Sequence, residues 1–129
     1  MSNTDVVMAF INAVNDMNWE TVGELFADDI FYHNIPMDPV NGKEAALGFL
    51  TSMNAESIHW EMIAIAENGN DVLTERVDNF VLPGDKKLSL PVMGTFVVED
   101  GKITKWRDYF CMNQFMAQMA YVPTVLMSS

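Results

Sequence analysis

The segment TERVDNF, residues 74 to 80, carries Arg76 and Asp78 two positions apart in a run that otherwise alternates like a β-strand. Strand residues separated by one neighbour share a face, so guanidinium and carboxylate point the same way. On a solvated face they make an ordinary ion pair. Facing a cavity they need partners, because burying charge is costly unless it is paired and hydrogen-bonded. A second carboxylate, Asp108, stands in KWRDYF, and YHN supplies a phenol and an amide of like parity, Tyr32 and Asn34. If these side chains converge, the planar fork of Arg76 can donate to both aspartates at once. One positive charge cannot balance two negative ones, and a retained proton neutralises the trio. Unit charges about 4 Å apart interact by roughly 4 kcal/mol at an effective dielectric near 20, ample to separate two macroscopic pKa values. A carboxylic acid beside a carboxylate is what concerted acid-base chemistry requires. Tyr32 and Asn34 can each bind a water molecule, and a carboxylate taking its remaining proton makes that water a nucleophile. His33 is out of phase with this pair and reads as structural or exposed.

The elements that must hold these groups follow from periodicity. SNTDVVMAFINAVNDMN is a capped, one-sided helix with Val7, Phe10, Ile11 and Val14 on one face. NWETVGELFADD is a shorter helix, DIFYHNIPMDPVNG an extended segment closed by two prolines and an Asn-Gly turn, and GKEAALGFLTSMN a third helix. The period then changes to two. SIHWEMIAIAENG, NDVLTERVDNFVLPG, KKLSLPVMGTFVVEDG and KITKWRDYFCM read as four successive strands joined by hairpin turns. Pro91 cannot donate to a ladder and belongs at an edge, bulge or bend. The last apolar piece, NQFMAQMAYVPTVLM, reads as a short helix stopped near Pro123 with a loose tail. Helices followed by a meander predict one α+β domain over residues 1–129. Its antiparallel sheet is expected to be strongly curved into a cone, covered by the N-terminal helices and enclosing an apolar pocket.

Alternation assigns faces within each strand. Thr74, Arg76, Asp78 and Phe80 share one side; so do Leu88, Leu90, Val92, Gly94 and Phe96. Thr104, Trp106, Asp108 and Phe110 oppose Ile103, Lys105, Arg107 and Tyr109. The side with Leu90, Val92, Trp106 and Phe110 is strongly apolar and is expected to be the interior. Asp108 falls on it by parity, Arg76 and Asp78 only if their strand has the matching register. Val77, Met93, Val97 and Ile103 are then expected on the outer face, an apolar set that favours a dimer.

Composition narrows the function. Seven Lys plus Arg against eighteen Asp plus Glu give a net charge of −11, which repels phosphate backbones and anionic membrane surfaces. The lone Cys111 allows no internal disulfide and suits a reducing compartment, and no signal-like or membrane-spanning run is evident. Cytoplasm is the expected location, with neither nucleic acid nor membrane as partner. No Ser-His, Gly-x-Ser-x-Gly or Cys-His pattern points to acyl transfer, and two histidines with one cysteine make no zinc set.

TERVDNF, YHNIPM and ITKWRDYF, in this order and spacing, resemble the limonene-1,2-epoxide hydrolase family, a branch of the NTF2-like (SnoaL-like) superfamily. The likeness runs from the first helix through Phe115. It implies that Asp108 deprotonates the attacking water, that Tyr32 and Asn34 hold that water, and that Asp78 protonates the epoxide oxygen. Arg76 matches the arginine bridging the two aspartates. Phe80, Leu90, Val92 and Phe110 resemble pocket-wall positions, with Trp106 beside the base and Ile11 and Val14 contributing from the first helix. It further implies a homodimer needing neither metal nor organic cofactor, acting on a small apolar epoxide and water. Against the better-known members an N-terminal extension is expected to be missing and the pocket rim to be more open. Two other readings belong to different classes: an isomerase or cyclase of the same fold, and a non-catalytic carrier of a small apolar ligand.

Overall fold

The computed structural model describes residues 1–120. Helix α1 spans Asn3–Asn15 and starts in a capping box, the Ser2 hydroxyl accepting from the Asp5 N–H while the Asp5 carboxylate takes the Ser2 N–H. Its buried face is Val6, Val7, Phe10, Ile11, Ala13 and Val14. Helix α2, Trp19–Leu25, is capped by Asn18. Helix α3 spans Lys43–Thr51, and α4 spans Met112–Met119. The expected stop near Pro123 and the tail beyond it lie outside the described residues.

The strands are β1 Phe26–Asn34, β2 Val40–Asn41, β3 Ser57–Asn68, β4 Asp71–Leu82, β5 Lys86–Glu99 and β6 Lys102–Tyr109. They form one six-stranded sheet in the order β2-β1-β6-β5-β4-β3. Here the expected cone requires correction. The sheet is open, with β2 and β3 at its edges, and mixed, because β1 runs parallel to β6. It is neither closed nor strongly curved, and it is not purely antiparallel. The meander β3–β6 is antiparallel as its short turns dictate. The return of β1 beside β6 is a crossover that no hairpin signal announces.

The segment read as a helix tail plus an extended stretch, FADDIFYHN, is the inner strand β1. Its Phe26, Ile30, Tyr32 and Asn34 are buried, while polar Asp28 and Asp29 obscure the alternation. Pro91 pairs with Val77 at a level of β5 that β6, which joins only from Met93, does not reach, so its missing N–H breaks no ladder to β6. Ile103 is the second correction. A register irregularity between Val97 and Val98 reverses the parity of the start of β6, and Ile103 is fully buried opposite Val98 rather than on the outer face. Met93 and Tyr109 remain outside at 53% and 47% exposure.

The helices lie on the inner face, over an aromatic core in which Phe10 meets Phe26, Trp60, Phe96 and Trp106 at 5.0–6.2 Å between ring centroids. At the sheet edge Asn15, the last residue of α1, accepts from the Trp60 N–H at 2.7 Å and donates to the Trp60 carbonyl at 3.1 Å. Among the described residues no helix is long and apolar enough to cross a membrane.

Candidate active site

Six polar side chains, Tyr32, Asn34, Thr74, Arg76, Asp78 and Asp108, meet on the inner face. In the parallel β1–β6 pair Tyr32 stands beside Trp106 and Asn34 beside Asp108. Across β6 and β5 the same row continues from Asp108 to Gly94 and on to Thr74 of β4. Arg76 is one inward position further along β4, and Asp78 one beyond that. Asp108 and Arg76 are therefore separated by a whole strand, roughly 10 Å between β4 and β6 at ordinary strand spacing. The arginine spans that gap by lying over Gly94, where a β-carbon would intrude on Asp108 Oδ1 and Arg76 Nη1. Glycine in the middle of this strand marks a close approach of side chains.

All five N–H donors of Arg76 are engaged. Nε donates to Asp78 Oδ1 at 3.0 Å, and Nη2 to Asp78 Oδ2 at 2.9 Å and Asp108 Oδ2 at 2.8 Å. Nη1 donates to Thr74 Oγ1 at 3.1 Å and Asp108 Oδ1 at 3.3 Å. The Thr74 hydroxyl in turn donates to the Gly94 carbonyl at 2.9 Å, which fixes its lone pairs toward the arginine. Trp106 Nε1 donates to Asp108 Oδ1 at 2.7 Å, while its ring stacks on Tyr32 at 3.9 Å. Arg76 thus has no N–H left beyond those taken by the two carboxylates and Thr74.

The trio is buried: Arg76 is 0%, Asp108 3% and Asp78 4% exposed. Burial is the largest influence on Asp78 and raises its pKa; Arg76 opposes this and the Asp108 charge adds to it, leaving Asp78 pushed up to about 6. Burial works against the Arg76 cation, but Asp108 and Asp78 outweigh it and raise its pKa above the ordinary value. The Tyr32 phenol is pushed well up by burial and then by Asp108, so it stays protonated and able to donate.

A cavity of about 270 Å³ opens in front of these groups. Tyr32, Asn34, Asp78 and Asp108 form its polar end, and Phe80, Leu90, Val92 and Phe110 lie in its wall. Ile11, Val14 and Trp106, expected in that wall, are instead packed in the core behind it. α1 lies one layer deeper than the resemblance implied. Trp60, Phe49, Leu50, Leu88 and Phe115 also line the cavity, although the sequence assigned none of them to its wall. Two of them left a usable signal: Leu88 shares the face of Leu90 and Val92, and the β3–β4 hairpin register sets Trp60 opposite Asp78. Thr74 and Gly94 were on the correct faces without a role attached. His33 bonds the Met37 carbonyl at 2.8 Å, and Cys111 is exposed.

A sheet covered by helices on one face, with buried charged groups at the end of an apolar cavity, is the architecture of a small-molecule-binding α+β domain. A family model of the limonene-1,2-epoxide hydrolase catalytic domain matches residues 1–121. The epoxide hydrolase EphG of Mycobacterium tuberculosis is 34% identical over 105 residues, 81% of this chain and 70% of that protein. The structure of an LEH-like epoxide hydrolase of M. tuberculosis superposes with a TM-score of 0.83 at 29% identity, covering 98% of this chain and 96% of that one. An NTF2-like protein of unknown function from Burkholderia pseudomallei reaches the same TM-score of 0.83 at 14% identity, over 94% of this chain and 100% of its own, and shares the fold alone. The chain belongs to the limonene-1,2-epoxide hydrolase family, within the NTF2-like (SnoaL-like) superfamily, and is an enzyme of that type.

Proposed function

We propose that the protein adds water to a small apolar epoxide in one step to give a vicinal diol. Water held by Tyr32 and Asn34 loses a proton to Asp108 as its oxygen bonds to an epoxide carbon. The carbon–oxygen bond of the ring breaks, and Asp78 delivers its proton to the departing oxygen. After the diol leaves, the proton passes from Asp108 to Asp78 through water that refills the cavity both carboxylates line, and the pair is reset. An alkoxide is a poor leaving group, so protonating it during attack avoids both free alkoxide and free hydroxide. The observation that carries this reading is the single buried arginine bonded to two carboxylates that both reach the cavity wall. Turnover in ¹⁸O-water tests it: the diol acquires one solvent oxygen in the first turnover, and enzyme carboxylates stay unlabelled. Label passing through Asp78 or Asp108 indicates an ester intermediate and overturns the one-step mechanism.

The proposed acid sets a pH dependence. Asp78 acts in its protonated form, with a pKa of about 6. Above that value the protonated fraction falls about tenfold per pH unit, and kcat/KM for a neutral epoxide declines with it. A profile that is flat from pH 6 to 8 removes Asp78 from the acid role. We also infer a homodimer, supported by the outer-face side chains Leu73, Met93 and Tyr109, which are 45–53% exposed. Sedimentation of the full chain reads that state.

A further inference from the structure

We propose that Trp60 is a positioning residue, whose indole covers one flat face of the Arg76 guanidinium and the flank of Asp78 beside it, keeping water off that side of the ion cluster while both carboxylates stay open to the cavity. The catalytic consequence rests on the epoxide-hydrolase reading above, whereas the screening itself does not. Trp60 is the cross-strand partner of Asp78 in the β3–β4 pair and is 4% exposed on the inner face. Its ring lies 5.1 Å from Arg76 Cζ, and the Phe96 ring lies 6.0 Å away. The five in-plane N–H groups of Arg76 are all taken by Asp78, Asp108 and Thr74, so only the flat faces of the cation remain to be covered. Aromatic faces do this through their quadrupole, tryptophan most strongly. Asp78, Asp108 and Trp60 line the cavity, whereas Arg76 does not and is fully buried.

The indole Nε1 supplies an independent observation. It is the buried side-chain nitrogen or oxygen that lacks a hydrogen-bond partner among the described residues. Leucine would fill apolar space here without orphaning a donor but has no π-face, so the part of Trp60 in use is the face of its aromatic ring. Asn15 holds that face in place by clamping both backbone groups of Trp60. The groups facing Asp78 are Arg76 from its own strand, Asp108 from β6, and Tyr32 with Asn34 from β1. The buried faces of α1 and β5 bring only apolar residues and Gly94. Burial is the largest influence on Asp78, and its two cross-strand neighbours on the cavity wall are Trp60 and Leu90, of which Trp60 alone also covers the guanidinium.

The test is a ¹³C-carboxyl NMR titration of Asp78 in the wild type, Trp60→Phe and Trp60→Leu, alongside their turnover profiles. In Trp60→Leu the Asp78 midpoint falls by about one pH unit or more, toward the ordinary carboxylate range. The upper limb of kcat/KM moves down with it. Trp60→Phe, which keeps a ring over the guanidinium, stays within about half a unit of wild type. An unmoved midpoint in Trp60→Leu overturns the proposal. A wild-type measurement is decisive if that variant does not fold: the ¹⁵N-indole resonance of Trp60 shifts at the Asp78 midpoint, and a resonance indifferent to it overturns the screen. Both NMR readouts are independent of turnover. Absence of diol formation with a moving Asp78 midpoint sinks the hydrolase reading and leaves the screen standing.

Discussion

Asp108→Asn lowers kcat for epoxide hydration by about 10²- to 10⁴-fold, the usual worth of a positioned proton transfer, and by more if the acid is disabled with the base. The second loss follows from charge. In the wild type one guanidinium faces two carboxylates, and the Asp108 charge is among the influences that hold the Asp78 proton. With an uncharged amide in place of that carboxylate, the remaining pair, Arg76 and Asp78, balances without any proton. Asp78 then ionises at lower pH and ceases to be an acid. Asp78→Asn removes the same donor directly. The double variant Asp78→Asn/Asp108→Asn is then little worse than Asp108→Asn alone, because groups that act as a unit are strongly non-additive. Steady-state diol release by the three variants, with far-UV circular dichroism to establish folding, checks both statements. Asp108→Asn at wild-type speed eliminates the proposed base; strictly additive losses eliminate the coupling.

Gly94→Ala is the second large effect, although glycine has no group that reacts. A β-carbon at this position would lie far inside contact distance of Asp108 Oδ1 and Arg76 Nη1, and 3.2 Å from Thr74 Oγ1. None of those atoms can withdraw cheaply, because each is buried and bonded to the next. The methyl therefore pushes the arginine off one carboxylate. Displacing a reacting group by about 1 Å costs on the order of 100-fold in rate. Overpacking a buried site adds about 1–3 kcal/mol of destabilisation. Gly48→Ala is the control: nothing lies within 4 Å of its added carbon, and it sits within α3. There alanine stabilises by about 0.5–1 kcal/mol and leaves kcat/KM unchanged. Thermal melts and turnover of the two variants separate the cases, and equal activities would show that the arginine bridge tolerates a methyl beneath it.

The places of Gly94 and Thr74 beside Arg76 show how far strand periodicity reaches. Alternation put Thr74, Arg76 and Asp78 on one side of β4 and Trp106 and Asp108 on one side of β6, and the structure has them so. Hairpin turns ordered β3 to β6 correctly, since residues such as Asp100 and Gly101, both at positive φ, leave few other ways to connect adjacent strands. Parity nevertheless failed at Ile103, where one irregular residue near Thr104 reversed the face without any compositional cue.

The chain's own letters thus determined what is local: helix faces, hairpins, the inward side of each catalytic-strand candidate, and a family signature in three short motifs. Tertiary structure alone decided what depends on neighbours. Seating β1 parallel to β6 sets Tyr32 and Asn34 beside Trp106 and Asp108, and makes the sheet open and mixed where a curved antiparallel cone was expected. Laying α1 a layer deeper moved Ile11 and Val14 from cavity wall to core. A period of two records which residues share a side of one strand and carries no term for which strand lies next. That choice is made by the packing of distant segments, whose energy no short window of residues contains.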